Sequence, residues 1–288
     1  MKVVRLNPQT LTTMSQPARQ VIALGFFDGV HQGHQRVIAR ARQLADERHL
    51  PLAVMTFNRH VSRVFNTSRQ TDFRYLNTLA QKLALLAQNR VDTTYVVDFD
   101  RAFAAITPEA FVTNYLIRLN AQVVVGGFDY TFGQGGRATI EDMPRYNHGA
   151  FEVAVVAELD ASRQKIGSTE IRRLIKYGQI QRANELLGHP YAVAGQLIND
   201  GTNRLQLRLA SRLQQLPPRG AYQVGLQVGV TRIPGTLNVT ATGLFIQVAA
   251  DAGLGSARCT RVEVAVLNRR AVSVRPVTTA PLTMIQAI

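Results

Sequence analysis

Two histidines three residues apart, His31 and His34, stand in the run Gly25-Phe26-Phe27-Asp28-Gly29-Val30-His31-Gln32-Gly33-His34. This spacing lets both imidazoles face one ligand and donate hydrogen bonds to oxygens that gain charge during phosphoryl transfer. The three glycines Gly25, Gly29 and Gly33 allow backbone to approach that ligand, and free N–H groups at the start of a following helix favour an anion. The anion such a turn cradles best is phosphate. A second group of similar character is Lys165-Ile166-Gly167-Ser168-Thr169-Glu170-Ile171-Arg172. Ser168 is expected to cap a helix there, and the hydroxyls of Ser168 and Thr169, Lys165 and the fork of Arg172 suit a diphosphate. Taken singly, each feature is explained equally well by turn chemistry, capping or a solvated face. Their combination points to phosphoryl chemistry.

The surrounding pattern supplies the elements that would position them. The apolar run Val21 to Leu24 precedes the first motif as a strand, and Gln35 to Arg48 follows with Val37, Ile38, Ala41, Leu44 and Ala45 at helical spacing. Leu52 to Phe57 is a second apolar strand ending at Asn58-Arg59-His60. Strand, helix, strand implies a parallel sheet with a right-handed crossover, and ligands collect at the carboxyl ends of such strands. Further strands are expected at Tyr95 to Phe99, Val123 to Val125 and Phe151 to Val156, with helices at Thr78 to Arg90, from Thr107-Pro108-Glu109 to Leu119, and at Gln179 to Leu187. The apolar stripe of the Thr78 helix reads as ordinary core. The Val123 strand runs into Gly126-Gly127-Phe128-Asp129-Tyr130-Thr131-Phe132-Gly133, where alternating aromatics form either a stacking surface for a planar ring or half-buried strand residues. Beyond Pro190 the pattern changes to short alternating segments, among them Tyr191 to Ile198, Tyr222 to Val230, Gly243 to Val248 and Val262 to Leu267, which predict an antiparallel barrel or sandwich. We expect an α/β domain over 1–187, a parallel sheet with helices on both faces, followed by a small antiparallel β-barrel over 188–288.

Composition bounds the function. A chain of 288 residues with 46 % hydrophobic content buries a sizeable core and suits two domains. It carries no apolar run long enough to span a bilayer and no signal-peptide pattern, so a cytoplasmic location is the default expectation. A single cysteine, Cys259, excludes an internal disulfide and a thiolate metal cluster. The formal charge of +14 invites a nucleic-acid partner, but the positive charge is nearly all arginine and is scattered rather than gathered into runs. A basic surface accounts for it better, and nothing in the pattern sets an oligomeric state.

Four landmarks in order carry a resemblance. Gly25 to His34 resembles the HxGH signature of nucleotidyltransferases; Thr56-Phe57-Asn58-Arg59-His60-Val61 meets a Thr-Phe-Asp-Pro-His-Pro segment; Gly127 to Gly133 meets Gly-x-Asp-Phe-x-Phe-Gly; and Gly167 to Arg172 meets Ser-Ser-Thr-x-x-Arg. Together they resemble the prokaryotic bifunctional riboflavin kinase/FMN adenylyltransferase, or FAD synthetase, family. The resemblance implies a Rossmann-like HxGH domain that transfers AMP from ATP to FMN with Mg²⁺, giving FAD and pyrophosphate, with no metal held by a dedicated protein site. It implies His31, His34 and Arg172 as catalytic residues. Gly25, Phe26, Asp28, Gly33, Asp129, Ser168 and Thr169 would bind ATP, and Phe57, Asn58, Phe128 and Tyr130 would bind the flavin. Asn58, Arg59 and Val61 replace an Asp and two prolines, which reshapes the flavin-side loop.

The C-terminal part resembles the family's kinase barrel in Pro217 to Tyr222 and in Val262-Glu263-Val264, where Glu263 matches the kinase glutamate. The kinase Gly-Phe-Pro-Thr-Ala-Asn, however, is met only by Gln206-Leu207-Arg208-Leu209-Ala210-Ser211, so riboflavin kinase activity is expected to be weak or lost. The alternatives are a flavin- or RNA-binding regulator that has given up catalysis, and an HxGH transferase acting on another phosphate. The joint presence of His31, His34, Ser168, Thr169 and Arg172 favours the enzyme.

Overall fold

Gln20–Leu24 is buried along its whole length, and a strand with no solvent face belongs in the middle of a sheet covered on both sides. The computed structural model, which describes residues 1–65, 73–157, 166–199, 205–249 and 259–270, places it there. The N-terminal sheet has the order β1-β4-β3-β2-β5-β8 and every pair is parallel. Its strands are β1 (Lys2–Leu6), β2 (Gln20–Leu24), β3 (Leu52–Phe57), β4 (Thr93–Val97), β5 (Ala121–Gly127) and β8 (Glu152–Val156), while β6 (Thr131–Phe132) and β7 (Ala138–Thr139) form a separate small hairpin. Helices are α1 (Pro8–Thr13), α2 (Gln32–Glu47), α3 (Ser62–Phe65), α4 (Leu79–Gln88), α5 (Arg101–Ala104), α6 (Pro108–Phe111), α7 (Ser168–Lys176) and α8 (Ile180–Leu187).

Alternation along β2 divides the core. Val21 and Ala23 face a layer containing Val37, Ile38, Ala41 and Leu44 of α2, whereas Ile22 and Leu24 face Phe111, Val112, Tyr115 and Leu116. Helices therefore cover both faces, as expected. The long helix expected from Thr107 begins as α6, capped by the Thr107 hydroxyl with Pro108 in its first turn, but widens into a π-helix at Val112–Ile117. From β2 the chain crosses by α2 to β3 on one side, while β5 pairs with β2 on the other. The carboxyl ends of β2 and β5 thus flank the point where strand order reverses, the crevice in which open α/β sheets bind ligands.

The second unit is a closed antiparallel barrel in the order β10-β13-β12-β11-β14-β9. Its strands are β9 (Tyr191–Asn199), β10 (Leu205–Leu209), β11 (Gly220–Val228), β12 (Thr231–Val239), β13 (Leu244–Val248) and β14 (Cys259–Arg269). Tyr191, Val193 and Leu197 point inward at every second residue, the period of a half-buried strand. This interior does not stop at the barrel wall. Ile171, Leu174 and Ile175 of α7 and Ile180, Ala183 and Leu187 of α8 join Tyr191, Tyr222, Leu226 and Val264 in one continuous apolar core. Backbone pairing ties the units as well: Tyr75 N–H donates to Leu213 O and Gln215 N–H to Tyr75 O, both at 2.8 Å.

A shared core makes a sharp thermodynamic demand. Ile171→Ala, at a side chain with no exposed surface, is expected to cost about 2–5 kcal/mol. Calorimetry should show α7, α8 and the barrel melting together in one transition that this substitution shifts as a whole.

Candidate active site

The turn after β2 is built against the grain of its side chains. Phe27 has φ 55° and the β-branched Val30 φ 41°, with Gly29 at φ 82° between them. A non-glycine residue rarely adopts the left-handed region, and a β-branched one pays most, so the surroundings must impose this shape. Gly29 is the position where glycine is required twice over, since a Cβ there would also meet Leu76 Cδ1 at 2.7 Å.

Asp28 does much of the imposing. Its side chain is 2 % exposed, and its carboxylate accepts from Leu76 N–H at 3.0 and 3.2 Å and pairs with Arg172 Nη2 at 2.6 Å. Burial pushes its pKa up, and the Arg172 guanidinium pulls against that. The Asp28 carbonyl accepts from Ser168 Oγ at 2.9 Å. Ser168 is therefore not the helix cap expected from sequence: Gly167 occupies that place without a side-chain bond, and Ser168 opens α7 with its hydroxyl turned to the histidine turn. Arg172 Nε donates to Arg74 O at 2.7 Å, and its guanidinium lies 4.4 Å from the Phe73 ring centroid. Asp28, Ser168 and Arg172, distant in sequence, are thus one unit. Thr169 lies exposed in the first turn of α7, and Lys165 lies outside the described residues.

His31 caps α2. Its Nδ1 accepts from His34 N–H across a long 3.4 Å, which places the ring proton on Nε2, the nitrogen free to donate outward. The two imidazoles stack with centroids 3.6 Å apart. Gly33 lies beneath them; a Cβ there would stand 3.2 Å from the His31 ring. Burial lowers the His31 pKa to about 4, opposed by the charge of Asp129. Burial lowers that of His34 well below its ordinary value, helped by the neighbouring His31, Lys82 and Arg172. Both rings are neutral hydrogen-bond donors at pH 7, and the buried His34 Nδ1 has no partner.

The flavin-side candidates divide. Asn58 donates to Asp98 Oδ1 at 2.7 Å and accepts from Phe99 N–H at 3.0 Å, so its amide ties the ends of β3 and β4 together. Phe57 packs edge-on against Phe99, 5.5 Å away, and beside Phe103. Tyr130 packs against the core, with burial raising its pKa, while Phe128 is 38 % exposed beside Asp129 at the mouth of β5. Phe26 and Gly25 stand at the end of β2, with Gly25 N–H donating to Met55 O at 3.3 Å. Glu263 lies on the outer face of the barrel. It borders a cleft of about 880 Å³ whose walls also include Arg208, Arg261, Lys82 and Phe26.

Three residues not foreseen from sequence hold the turn. His189 Nε2 donates to Gly29 O at 2.9 Å, Gln35 donates to Val30 O and Leu187 O, and the buried Lys82 bonds Phe26 O. A signal for Lys82 existed: it is a lysine at helical spacing from Leu79 and Leu86, on the stripe that should be apolar. Among the described residues, no three His, Cys, Asp or Glu side chains converge to hold a metal, and no helix is long and apolar enough to cross a membrane.

Backbone donors, neutral imidazoles and an arginine gathered at the switch point of a parallel sheet define a nucleotide-handling α/β domain, here joined to a β-barrel. The FAD synthetase profile matches residues 13–170. Over 199 residues the chain is 43 % identical to a bifunctional riboflavin kinase/FMN adenylyltransferase of Listeria monocytogenes, covering 69 % of this chain and 63 % of that protein. It is 34 % identical over 245 residues to the protein of the same name from Bacillus subtilis, covering 83 % and 77 %. A crystal structure titled as a macrolide-efflux protein from Streptococcus pneumoniae shares the fold at TM-score 0.83 and 28 % identity, over 94 % of this chain and 100 % of that one. The chain belongs to the FAD synthetase family.

Two outcomes follow from this geometry. Asp28→Asn leaves the partly exposed Arg172 without its counterion, so it is expected to lower stability in urea unfolding by less than the roughly 3–5 kcal/mol of a fully buried pair. Because burial lowers the pKa of His31 and His60 from 6.5 to about 4, their stabilising neutrality is full above pH 6.5 and is lost as the pH falls toward 4. The urea midpoint should drop through that window, and less steeply in His31→Gln.

Proposed function

We propose that this chain makes FAD by adenylyl transfer. A phosphate oxygen of FMN attacks the α-phosphorus of ATP, the bond to the β-phosphate breaks, and pyrophosphate leaves. The observation that carries this reading is the pairing of the stacked, neutral His31 and His34 with the Ser168–Arg172 helix start through Asp28. One wall would receive the α-phosphate and the other the leaving diphosphate. Membership of the FAD synthetase family and the names of the relatives support the same chemistry.

In this reading His31 Nε2–H and the amides opening α2 donate to the α-phosphate oxygens, strengthening as charge builds. Ser168, Thr169 and Arg172 hold the β- and γ-phosphates, and the Nη1 edge of Arg172 has no hydrogen bond to a described residue. Gly25, Phe26, Asp28, Gly33 and Asp129 shape the nucleotide side. Phe57, Asn58, Phe128 and Tyr130 shape the flavin side, Asn58 and Phe57 by fixing the strand ends and Phe128 by its exposed ring. No general base is needed, because the phosphate of FMN is already anionic, and positioning with charge neutralisation suffices. Mg²⁺ would enter with the nucleotide and neutralise its phosphates, which suits a site where no three His, Cys, Asp or Glu side chains converge among the described residues. The units are best divided near Leu187, and the single cysteine suits a reducing cytoplasm.

Kinase activity of the barrel is weak or lost in this reading. Gln206 to Leu209 run as ordinary strand paired with β9, and Leu209 and Ser211 stand where the family's kinase motif has the threonine and the asparagine that would hold metal and nucleotide.

The test is an incubation with Mg-ATP and either FMN or riboflavin, following FMN, FAD and pyrophosphate separately. FAD and pyrophosphate should form from FMN and not from riboflavin; no product from either would end the proposal. His31→Asn and His34→Asn should each lower kcat by roughly 10²–10³-fold, the cost of one oxyanion donor.

A further inference from the structure

Lys82 is a buried charge that adenylyl transfer, as just described, leaves unused. It is 4 % exposed, on α4, behind the histidine turn. Its ammonium has three N–H bonds and spends them on Phe26 O at 2.9 Å, Thr56 Oγ1 at 3.1 Å and Phe57 O at 3.0 Å. It also lies 4.5 Å from the Phe26 ring centroid. Every donor is satisfied, yet none meets a carboxylate. Burying an ammonium among neutral acceptors is costly, and an apolar side chain of similar length would fill the space more favourably. Packing alone does not account for it.

Two consequences of the placement do. Phe26 O belongs to the turn that leads to His31, and Phe57 O to the end of β3, so one side chain clips together the two loops that edge the crevice. Thr56 Oγ1 reinforces this by donating to Phe26 O at 2.9 Å. The charge balance also matters. The buried Asp28 pairs with Arg172 and also attracts Lys82, and His31, His34 and His60 are neutral at pH 7, so one carboxylate faces two cations. Two polyanions must meet in front of it.

We propose that Lys82 is a positioning residue for adenylyl transfer, holding the Phe26 and Phe57 carbonyls in register and supplying the positive charge that the Asp28 carboxylate, shared with Arg172, leaves in excess behind the turn. The inference rests on the adenylyl-transfer reading. Lys82→Met should lower kcat by about 100-fold, the cost of an ångström-scale misplacement, and raise KM for both ATP and FMN. Its melting temperature should be unchanged or higher, which a merely structural lysine would not give.

The pH profile separates charge from packing. Burial lowers the Lys82 pKa to about 8, with Asp28 opposing. Around it stand Asp28 from the turn, His34 from α2, His60 and Tyr75 beyond Phe26, and Arg172 from α7. The histidines, whose pKa values burial lowers, are already neutral there. The kcat/KM of the unaltered protein should therefore fall above about pH 8 as Lys82 loses its proton. Lys82→Arg should recover part of the activity and lack that fall, and it carries the same test should Lys82→Met not fold. If the unaltered chain makes FAD and Lys82→Met matches it in kcat and KM, or keeps the alkaline fall, the positioning role is overturned alone. If the unaltered chain makes no FAD, both readings fall.

Discussion

The buried ion pair between Asp28 and Arg172 is the constraint on which the rest depends. Left-handed backbone at Phe27 and Val30 is unfavourable in isolation, and a carboxylate in the interior is unfavourable without a partner. Each problem is solved by the other's neighbour. Asp28 draws in the Leu76 amide and Arg172, and those contacts fix the turn in the one shape that aims α2 and its histidines at the switch point. Arg172 in turn anchors α7, whose first residue bonds the same turn. The histidine turn and the start of α7 are not separate motifs that happen to meet; they are two ends of one electrostatic contact.

Aromatic contacts extend this unit. Phe26 meets His60 edge-on, His60 stacks on Phe73 at 4.0 Å, and Phe73 carries the Arg172 guanidinium on its face. A cation stands at each end of this ladder, Lys82 over Phe26 and Arg172 over Phe73. Cations over ring faces gain most where water is excluded, and the neutral His60 lets the stack carry no further charge. Loops from β2, β3 and α7 are thereby held by ring faces as well as by hydrogen bonds.

Much of this was legible in the sequence, because it is written in local periodicity. The fully apolar β2, the helical spacing of α2 and the alternation of the barrel strands each follow from solvent exposure along a single element. The His31 and His34 pair and the Ser168 to Arg172 group were visible as residue types at telling spacings. What was not legible is pairing across distance. Nothing near Asp28 says that its partner lies far along the chain, and Ser168 has the composition of a helix cap while spending its hydroxyl on Asp28 O. The one local sign of Lys82 was a lysine on the stripe of Leu79, Leu83 and Leu86, but its partners Phe26 O and Phe57 O are set by the fold. The widening of the helix at Val112 has no local signal either, as its residues fit an α-helix equally well.

The apolar core shared by α7, α8 and the barrel bears on how such a chain can change over time. Ile171, Leu174, Ile180 and Leu187 are covered by the barrel interior rather than by their own sheet. His189 and Gln35 tie the junction straight into the histidine turn. A barrel can therefore lose its own phosphate chemistry and still be indispensable, because cutting the chain after Leu187 would turn the inner faces of two helices toward water beside the histidine turn. Selection can erode what the barrel does long before it can remove the barrel, which then persists as scaffold for its neighbour.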